Sequence, residues 1–263
     1  MKKSVFKIVR SAHLRFRSKP LPDRLGIYFH ELEAHQWDSF REGISHFLAQ
    51  GYSSVPASEF ATVNFQGRRL FVSFDDNYRS WHSSLKVLDE LGIRATFYVH
   101  TQPFRDICDQ HTISDFFRRV AHSGEKVTLT RAELLEISAA GHEIGCHTHT
   151  HPVLSKIPQS SWDAEIRDSK HILEDLLQCD ITHFSYPFGM RRHFSDALRR
   201  YCLDVGFRTI AAAIPGMQYL PSPDPIILHR SGWRLDQPLE FNLTNLGVDG
   251  HWFERVTGRS AVG

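Results

Sequence analysis

The sequence predicts an α/β fold built on a parallel sheet. Three observations carry this. Short, mostly apolar runs alternate with stretches of helical periodicity along most of the chain. The runs lack the polar alternation of strands with one wet face, as expected where helices cover both sides of a sheet. Charged and imidazole side chains also gather just beyond the ends of these runs, where parallel α/β folds place their chemistry.

The candidate strands are Leu25–Phe29, Leu70–Phe74, Ala95–His100, His142–Cys146, Thr182–Tyr186, Phe207–Ala213 and Ile226–Leu228. The clearest helices between them are Gln36–Gln50, Ser80–Leu91, Arg131–Ala140, Ser160–Gln178 and Phe194–Val205. In the fourth, Trp162, Ile166, Leu173, Leu176 and Leu177 share one face at helical spacing. Gly92 and Gly141 follow Leu91 and Ala140, where a glycine can close a helix in the left-handed conformation. Thr101 to Thr130 is longer than an ordinary connection and leaves room for a small helix, Ser114–Val120. About seven strands in this alternation fit an open doubly wound sheet or a barrel, complete or distorted.

Composition narrows the function classes. With 263 residues and 41% hydrophobic content, the chain can bury a large core. A formal charge of +1, from 31 Lys and Arg against 30 Asp and Glu, lacks the basic excess of a nucleic-acid binder. Cys108, Cys146, Cys179 and Cys202 form no CxxC pair and read as reduced thiols. No apolar stretch is long enough to span a bilayer, and no secretory signal is apparent, so the protein reads as cytoplasmic. Residues 1–20 hold seven basic and no acidic side chains, with Val5, Ile8, Val9, Ala12 and Phe16 on one stripe if helical. Such a segment could touch the inner membrane face weakly, although a solvated terminus is the plainer reading. The expected division is a basic segment, 1–24, and one catalytic domain, 25–263.

The run Leu70–Phe74 is followed by Asp75 and Asp76. Two adjacent buried carboxylates repel unless a cation intervenes, although a solvated turn would also look like this. His142–Cys146 leads into His147-Thr148-His149-Thr150-His151-Pro152. His147 and His151 share a face on a helical turn; on an extended strand all three histidines would. With Asp76 they make two imidazoles and a carboxylate, a catalytic rather than a structural zinc set. Zinc is the default, with iron, cobalt and nickel also compatible. Asp75 is then free to take a proton from water that the metal has acidified. Further on, Tyr186-Pro187-Phe188-Gly189 reads as a stiff turn that could face a developing oxyanion or substrate. After Ile226–Leu228, His229 is a candidate general acid and Arg230 a candidate for orienting Asp75.

Taken in order, Phe74-Asp75-Asp76-Asn77, His147-Thr148-His149-Thr150-His151-Pro152 and Tyr186-Pro187-Phe188-Gly189 resemble the first three motifs of the polysaccharide deacetylases, the NodB-homology group. Ile27-Tyr28-Phe29-His30 and Gly92-Ile93-Arg94-Ala95-Thr96-Phe97-Tyr98-Val99 look like the family's first and third strands. The resemblance implies a single-domain, distorted (β/α)7 barrel with one divalent metal, Asp75 as base, and Asp76, His147 and His151 as ligands. It implies removal of an N-acetyl group from a sugar or glycan. Asn77 stands where the family commonly has glycine. The arginine that commonly opens the third motif is missing, and Arg230, ahead of Ser231-Gly232-Trp233, is placed to replace it. Alternatives are deformylation or another C–N hydrolysis on the same fold, and a non-catalytic carbohydrate-binding relative. The first is separated by the acyl group released, the second by the presence of all four residues of the metal and base set. No G-x-S-x-G elbow is present to support a serine hydrolase.

Overall fold

The structure is a computed structural model that describes residues 21–63, 66–122, 124, 126–216, 218 and 226–246. The basic segment 1–20 and its apolar stripe lie outside the described residues, as does 247–263 at the other end of the expected domain.

Nine strands are described: β1 Arg24–Phe29, β2 Tyr52–Val55, β3 Arg68–Asp75, β4 Thr96–Val99, β5 Glu143–Cys146, β6 His183–Ser185, β7 Thr209–Ala212, β8 Ile226–His229 and β9 Ser231–Gly232. Every pairing among them is parallel, in the order β8-β7-β6-β5-β4-β3-β1-β9. β8 pairs with β7 and β9 pairs with β1, and Arg230 alone separates β8 from β9. One short run of chain therefore touches both free edges and nearly closes the sheet into a barrel. The distortion lies at β3. β2 pairs with its first half, Arg68–Phe71, and β4 with its end, Ser73–Asp75.

The residues of β3 explain its central place. Leu70, Val72 and Phe74 pack outward into the main apolar core beneath the helices. Phe71, on the opposite face, joins Val55, Ala57, Phe60, Tyr98, Ala211 and Leu228 in a second cluster inside the barrel. The short helix Ala57–Phe60 plugs the N-terminal end of the barrel, with Phe60 stacked on Phe71 at 5.2 Å. The plug fills the centre of the base with carbon, and buried Arg69, Thr96, His183 and Thr209 surround it at the strand starts, Thr96 accepting from the Ala57 N–H at 2.9 Å. Tyr98 lies against Gly145, where a Cβ would come within 2.6 Å of the ring.

The helices expected from periodicity form, with shifted ends. Ser80–Leu91 is interrupted at Ser84, whose hydroxyl donates to the Trp81 carbonyl at 2.8 Å, giving helices Ser80–Ser83 and Leu85–Glu90. The Ser160–Gln178 stretch begins in a 3-10 turn, Gln159–Ser161, and passes through a π-helical turn, Asp163–Arg167, before the α-helix Asp168–Leu177. The long connection holds the helix Gln110–Arg119, started by the Asp109 carboxylate accepting from the Thr112 N–H at 2.7 Å. Gly92 and Gly141 are left-handed, with φ of 62° and 86°. All four cysteines are free thiols. No described helix is long and apolar enough to cross a membrane.

The tight seat of Tyr98 gives the first test. Gly145→Ala places a methyl against the ring and should lower unfolding stability by about 1–3 kcal/mol, the usual effect of overpacking, measured by denaturant titration. An unchanged midpoint would mean that the barrel interior is looser than described.

Candidate active site

The mouth of the barrel is built by backbone that leaves the regular strand. Asp75 ends β3 pointing inward, so continued alternation would turn Asp76 outward. Asp76 instead has φ 84° and Asn77 φ 50°. These left-handed residues bring both carboxylates, buried at 5% and 4% exposure, to the same end of the barrel. Asn tolerates this conformation better than most residues because its short amide can bond locally. Here the Asn77 amide brackets the backbone of His100. It accepts from the His100 N–H and donates to the His100 carbonyl, both at 2.7 Å.

The histidine-rich motif is neither helix nor strand. The His147 N–H donates to the Val99 carbonyl at 2.9 Å, extending the ladder by one residue. Thr148 and His151 then take left-handed φ values of 73° and 64°. The loop is held from below by Glu165 of the π-helical turn, which accepts from the His149 and Thr150 N–H groups and the Thr150 hydroxyl at 3.1, 2.9 and 2.6 Å. His149 points away, and its Nδ1 contacts the Thr101 hydroxyl at 2.8 Å. His147 and His151 turn inward.

Three imidazoles converge on one carboxylate oxygen. Nε2 of His100, His147 and His151 lies 3.2, 3.3 and 3.5 Å from Asp76 Oδ1. All four donor atoms fall within 4.8 Å of one another, and all four residues are buried. The Ser185 carbonyl lies 2.6 Å from His147 Nδ1 and can only accept. His147 therefore carries its proton on Nδ1 when neutral and turns a bare Nε2 lone pair toward Asp76. That arrangement is repulsive without a cation between the two atoms and suits a divalent metal. Burial pushes the His151 pKa down to about 3 and that of His100 down to about 4. Both thus remain neutral, the form that ligates. Burial also pushes His147 down, but the Asp75 and Asp76 carboxylates outweigh it and the net shift is upward.

The two carboxylates are held differently. Asp75 forms a bidentate pair with Arg230, Nη1 to Oδ1 at 2.8 Å and Nη2 to Oδ2 at 2.9 Å. Burial alone would raise the Asp75 pKa; the Arg230 charge, His147 and the Arg230 hydrogen bonds reverse the sign and hold it below the ordinary carboxylate range. Arg230 also donates to the hydroxyls of Ser73 and Ser185, at 2.9 and 2.8 Å, and lies between the rings of Tyr28 and Tyr98, 5.0 and 5.1 Å from their centroids. Among the described residues no guanidinium pairs with Asp76. Beyond the three inward imidazoles it meets His30 Nε2 at 3.7 Å, on a side chain half open to solvent.

The remaining sequence-derived residues fall out as follows. Arg230 reaches Asp75. His229 does not share that direction: Leu228 faces the barrel interior, the Arg230 N–H still bonds the Ala212 carbonyl at 3.2 Å, and strand alternation therefore turns His229 outward. The Tyr186 ring is buried, stacked on Phe194 at 4.5 Å, with its hydroxyl donating to the Gly189 carbonyl at 2.7 Å. Phe188, at φ 65°, is 43% exposed and meets His151 edge-on at 4.7 Å. Sequence reasoning missed His100 and left His30 without a role, although both stand just past strands, the position that drew attention to the others. Beside His30 opens a cavity of about 300 Å³, bordered also by Tyr78, His122, Trp233 and Asp236.

Removing the guanidinium tests the pair. Arg230→Met leaves a buried, unpartnered Asp75 and should cost about 3–5 kcal/mol at neutral pH. Because the folded Asp75 pKa is depressed in the parent, its contribution is full above the unfolded value of about 3.9 and fades as pH falls. The stability gap between parent and variant should therefore narrow in acid. Denaturant melts at several pH values check this, and a gap that stays constant with pH would contradict it.

Comparison with known proteins agrees with this geometry. The polysaccharide deacetylase family profile matches residues 62–210. YxkH of Bacillus subtilis (strain 168), named as a candidate polysaccharide deacetylase, is 23% identical over 145 residues, which is 53% of this chain and 45% of that protein. The chain thus spans less than half the length of that relative. Among solved structures, Streptococcus pyogenes deacetylase PplD in complex with acetate superposes with a TM-score of 0.67 at 16% identity, covering 85% of this chain and 97% of its own. IcaB from Ammonifex degensii gives 0.65 at 15% identity, covering 85% and 96%. At these identities the structures establish a shared fold. The family match covers more than half of the 263 residues and includes both carboxylates and the histidine motif, so the chain belongs to the polysaccharide deacetylase family, hydrolases of carbon–nitrogen bonds.

Proposed function

We propose that this chain is a metal-dependent hydrolase that removes an N-acetyl group from a sugar or glycan. The observation that carries the reading is the division of labour between adjacent carboxylates: Asp76 faces imidazole nitrogens, and Asp75 faces a guanidinium. Asp76, His147 and His151 would hold the ion. A divalent cation there, zinc by default and iron, cobalt or nickel by ligand type, supplies a Lewis acid for the acyl carbonyl and acidifies water.

The protein's own groups do the rest. Asp75 accepts the proton of the attacking water; its Oδ2, 3.9 Å from His147 Nε2, is the edge turned toward the metal ligands. Arg230 keeps that carboxylate ionised and fixed in direction, at the cost of making it a weaker base, which is tolerable only when the water is itself acidified. Phe188 offers an exposed ring at the mouth on which a sugar face can rest. The departing amine needs a proton. His229 faces outward, whereas half-exposed His30 stands at the mouth beside Asp76 and is placed to deliver it. Acetate bound to PplD is what an N-deacetylase releases and supports acetyl as the group removed.

The defining test is acetate and formate release from N-acetylated oligosaccharides, nucleotide sugars and lipid-linked sugars by zinc-loaded protein. Asp75→Asn should retain metal and lose turnover by about two orders of magnitude or more, the usual loss for a general base. His147→Ala should lose metal as measured by elemental analysis. Equal metal loss in both would remove Asp75 from its role, and formate in place of acetate would favour deformylation. In the same assay His30→Gln should lower turnover at least about tenfold with metal retained, and His229→Gln should leave it within about twofold. The opposite ranking would return the acid role to His229.

A further inference from the structure

We propose that His100 is a fourth protein ligand of the metal, so that one carboxylate oxygen and three imidazoles hold the ion rather than one and two. The inference rests on the reading that this site holds a metal. His100 Nε2 lies 3.2 Å from Asp76 Oδ1, nearer than Nε2 of His147 or His151 to the same oxygen. Ligand bonds of about 2.0–2.1 Å in a tetrahedral shell set donor atoms about 3.3 Å apart. The contacts of His100, at 3.2 Å, and of His147 and His151, at 3.3 and 3.5 Å, bracket that separation.

The position is built for this. The His100 side chain has no solvent exposure. Its ring lies edge-on to Phe116 at 5.4 Å and over His147 at 4.4 Å. Nδ1 faces the Thr148 hydroxyl at 3.5 Å, which leaves Nε2 for the shared oxygen. Its backbone is gripped on both sides by Asn77, at 2.7 Å each way. Asn77 stands where the resemblance leads one to expect glycine, and glycine has no side chain with which to grip. Asn77 thus fixes the backbone that carries the imidazole of His100. Four protein donors would fill a tetrahedron, so water or substrate would enter only as a fifth or sixth ligand. Such a set suits iron, cobalt or nickel at least as well as zinc.

X-ray absorption on the zinc- and cobalt-loaded full chain counts the imidazoles directly. Three are expected in the parent and two in His100→Asn, with metal affinity reduced at least about tenfold. Thermal melts of the metal-free proteins confirm that the variant folds, and His100→Ser serves as a second replacement. Two imidazoles in the parent, or a count unchanged by His100→Asn, overturn the assignment and leave His100 as a hydrogen-bond partner of Asp76. If neither variant folds, the parent count alone decides, three supporting and two refuting. Metal present with two imidazoles defeats only this inference; no metal bound under saturating conditions defeats the metal-dependent reading as well.

Discussion

A guanidinium with no solvent exposure stands where the barrel closes, and the rest of the structure is arranged around it. Arg230 separates β8 from β9, the two short strands that seal opposite edges of the sheet. Its side chain then bonds Ser73 and Asp75 of β3 and Ser185 of β6, between Tyr28 of β1 and Tyr98 of β4. One residue braces four strands from inside. A buried charge is tolerable only with a good partner, and Asp75 provides it in bidentate form; Nη1 and Nη2 are fully engaged, whereas the buried Nε–H has no hydrogen-bond partner. The same contact that holds the barrel shut therefore sets the direction and charge of the carboxylate proposed as base. Stability and chemistry are coupled here, so substitutions at Arg230 cannot be read as purely catalytic.

The second constraint is backbone strain, concentrated in three loops. Asp76, Asn77, Thr148, His151 and Phe188 are left-handed non-glycine residues, and they follow β3, β5 and β6. Each such residue costs on the order of 1–3 kcal/mol unless its surroundings fix it. The surroundings do so here through the Asn77 grip on His100, the Glu165 bonds to the histidine loop, and the Thr148 hydroxyl accepting from the His151 N–H at 3.2 Å. Glycine would relieve the strain at Asp76 or His151 but would remove the side chain the site uses. The strain buys a side-chain order that no regular element offers: two consecutive aspartates facing one mouth, and His147 with His151 inward while His149 faces away.

Much of this was legible in the sequence because parallel α/β folds separate packing from chemistry along each strand. Apolar runs marked seven of the strands, and polar residues just beyond them marked Asp75, Asp76, His147, His151 and Arg230. β2 and β9 were not legible, since Tyr-Ser-Ser-Val and Ser-Gly carry too little apolar signal to stand out. Nor could the histidine loop be resolved between helix and strand, because left-handed Thr148 and His151 make it neither. The choice between His229 and Arg230 depended on where a strand ends. A strand ending at Leu228 leaves both free to enter the site; extended to His229, with the ladder bond at Arg230, it permits only one. His100 escaped because a histidine closing an otherwise apolar run reads as part of the strand, and nothing local reveals that Asn77, 23 residues earlier, grips its backbone.

The charge balance at the mouth explains why adjacent, chemically identical residues can do different work. Arg230 neutralises Asp75, which leaves the buried Asp76 carboxylate facing His147 and the neutral imidazoles of His100 and His151. A proton shared between Asp76 Oδ1 and one Nε2 satisfies that pair and leaves the other nitrogens directing lone pairs at the same oxygen. A divalent cation among them would satisfy all the donors at once. Environment, not residue type, thus underlies the proposed roles, as in other paired-carboxylate sites: the aspartate that meets a fixed guanidinium would be left to handle protons, and the one that meets imidazole lone pairs would hold the metal.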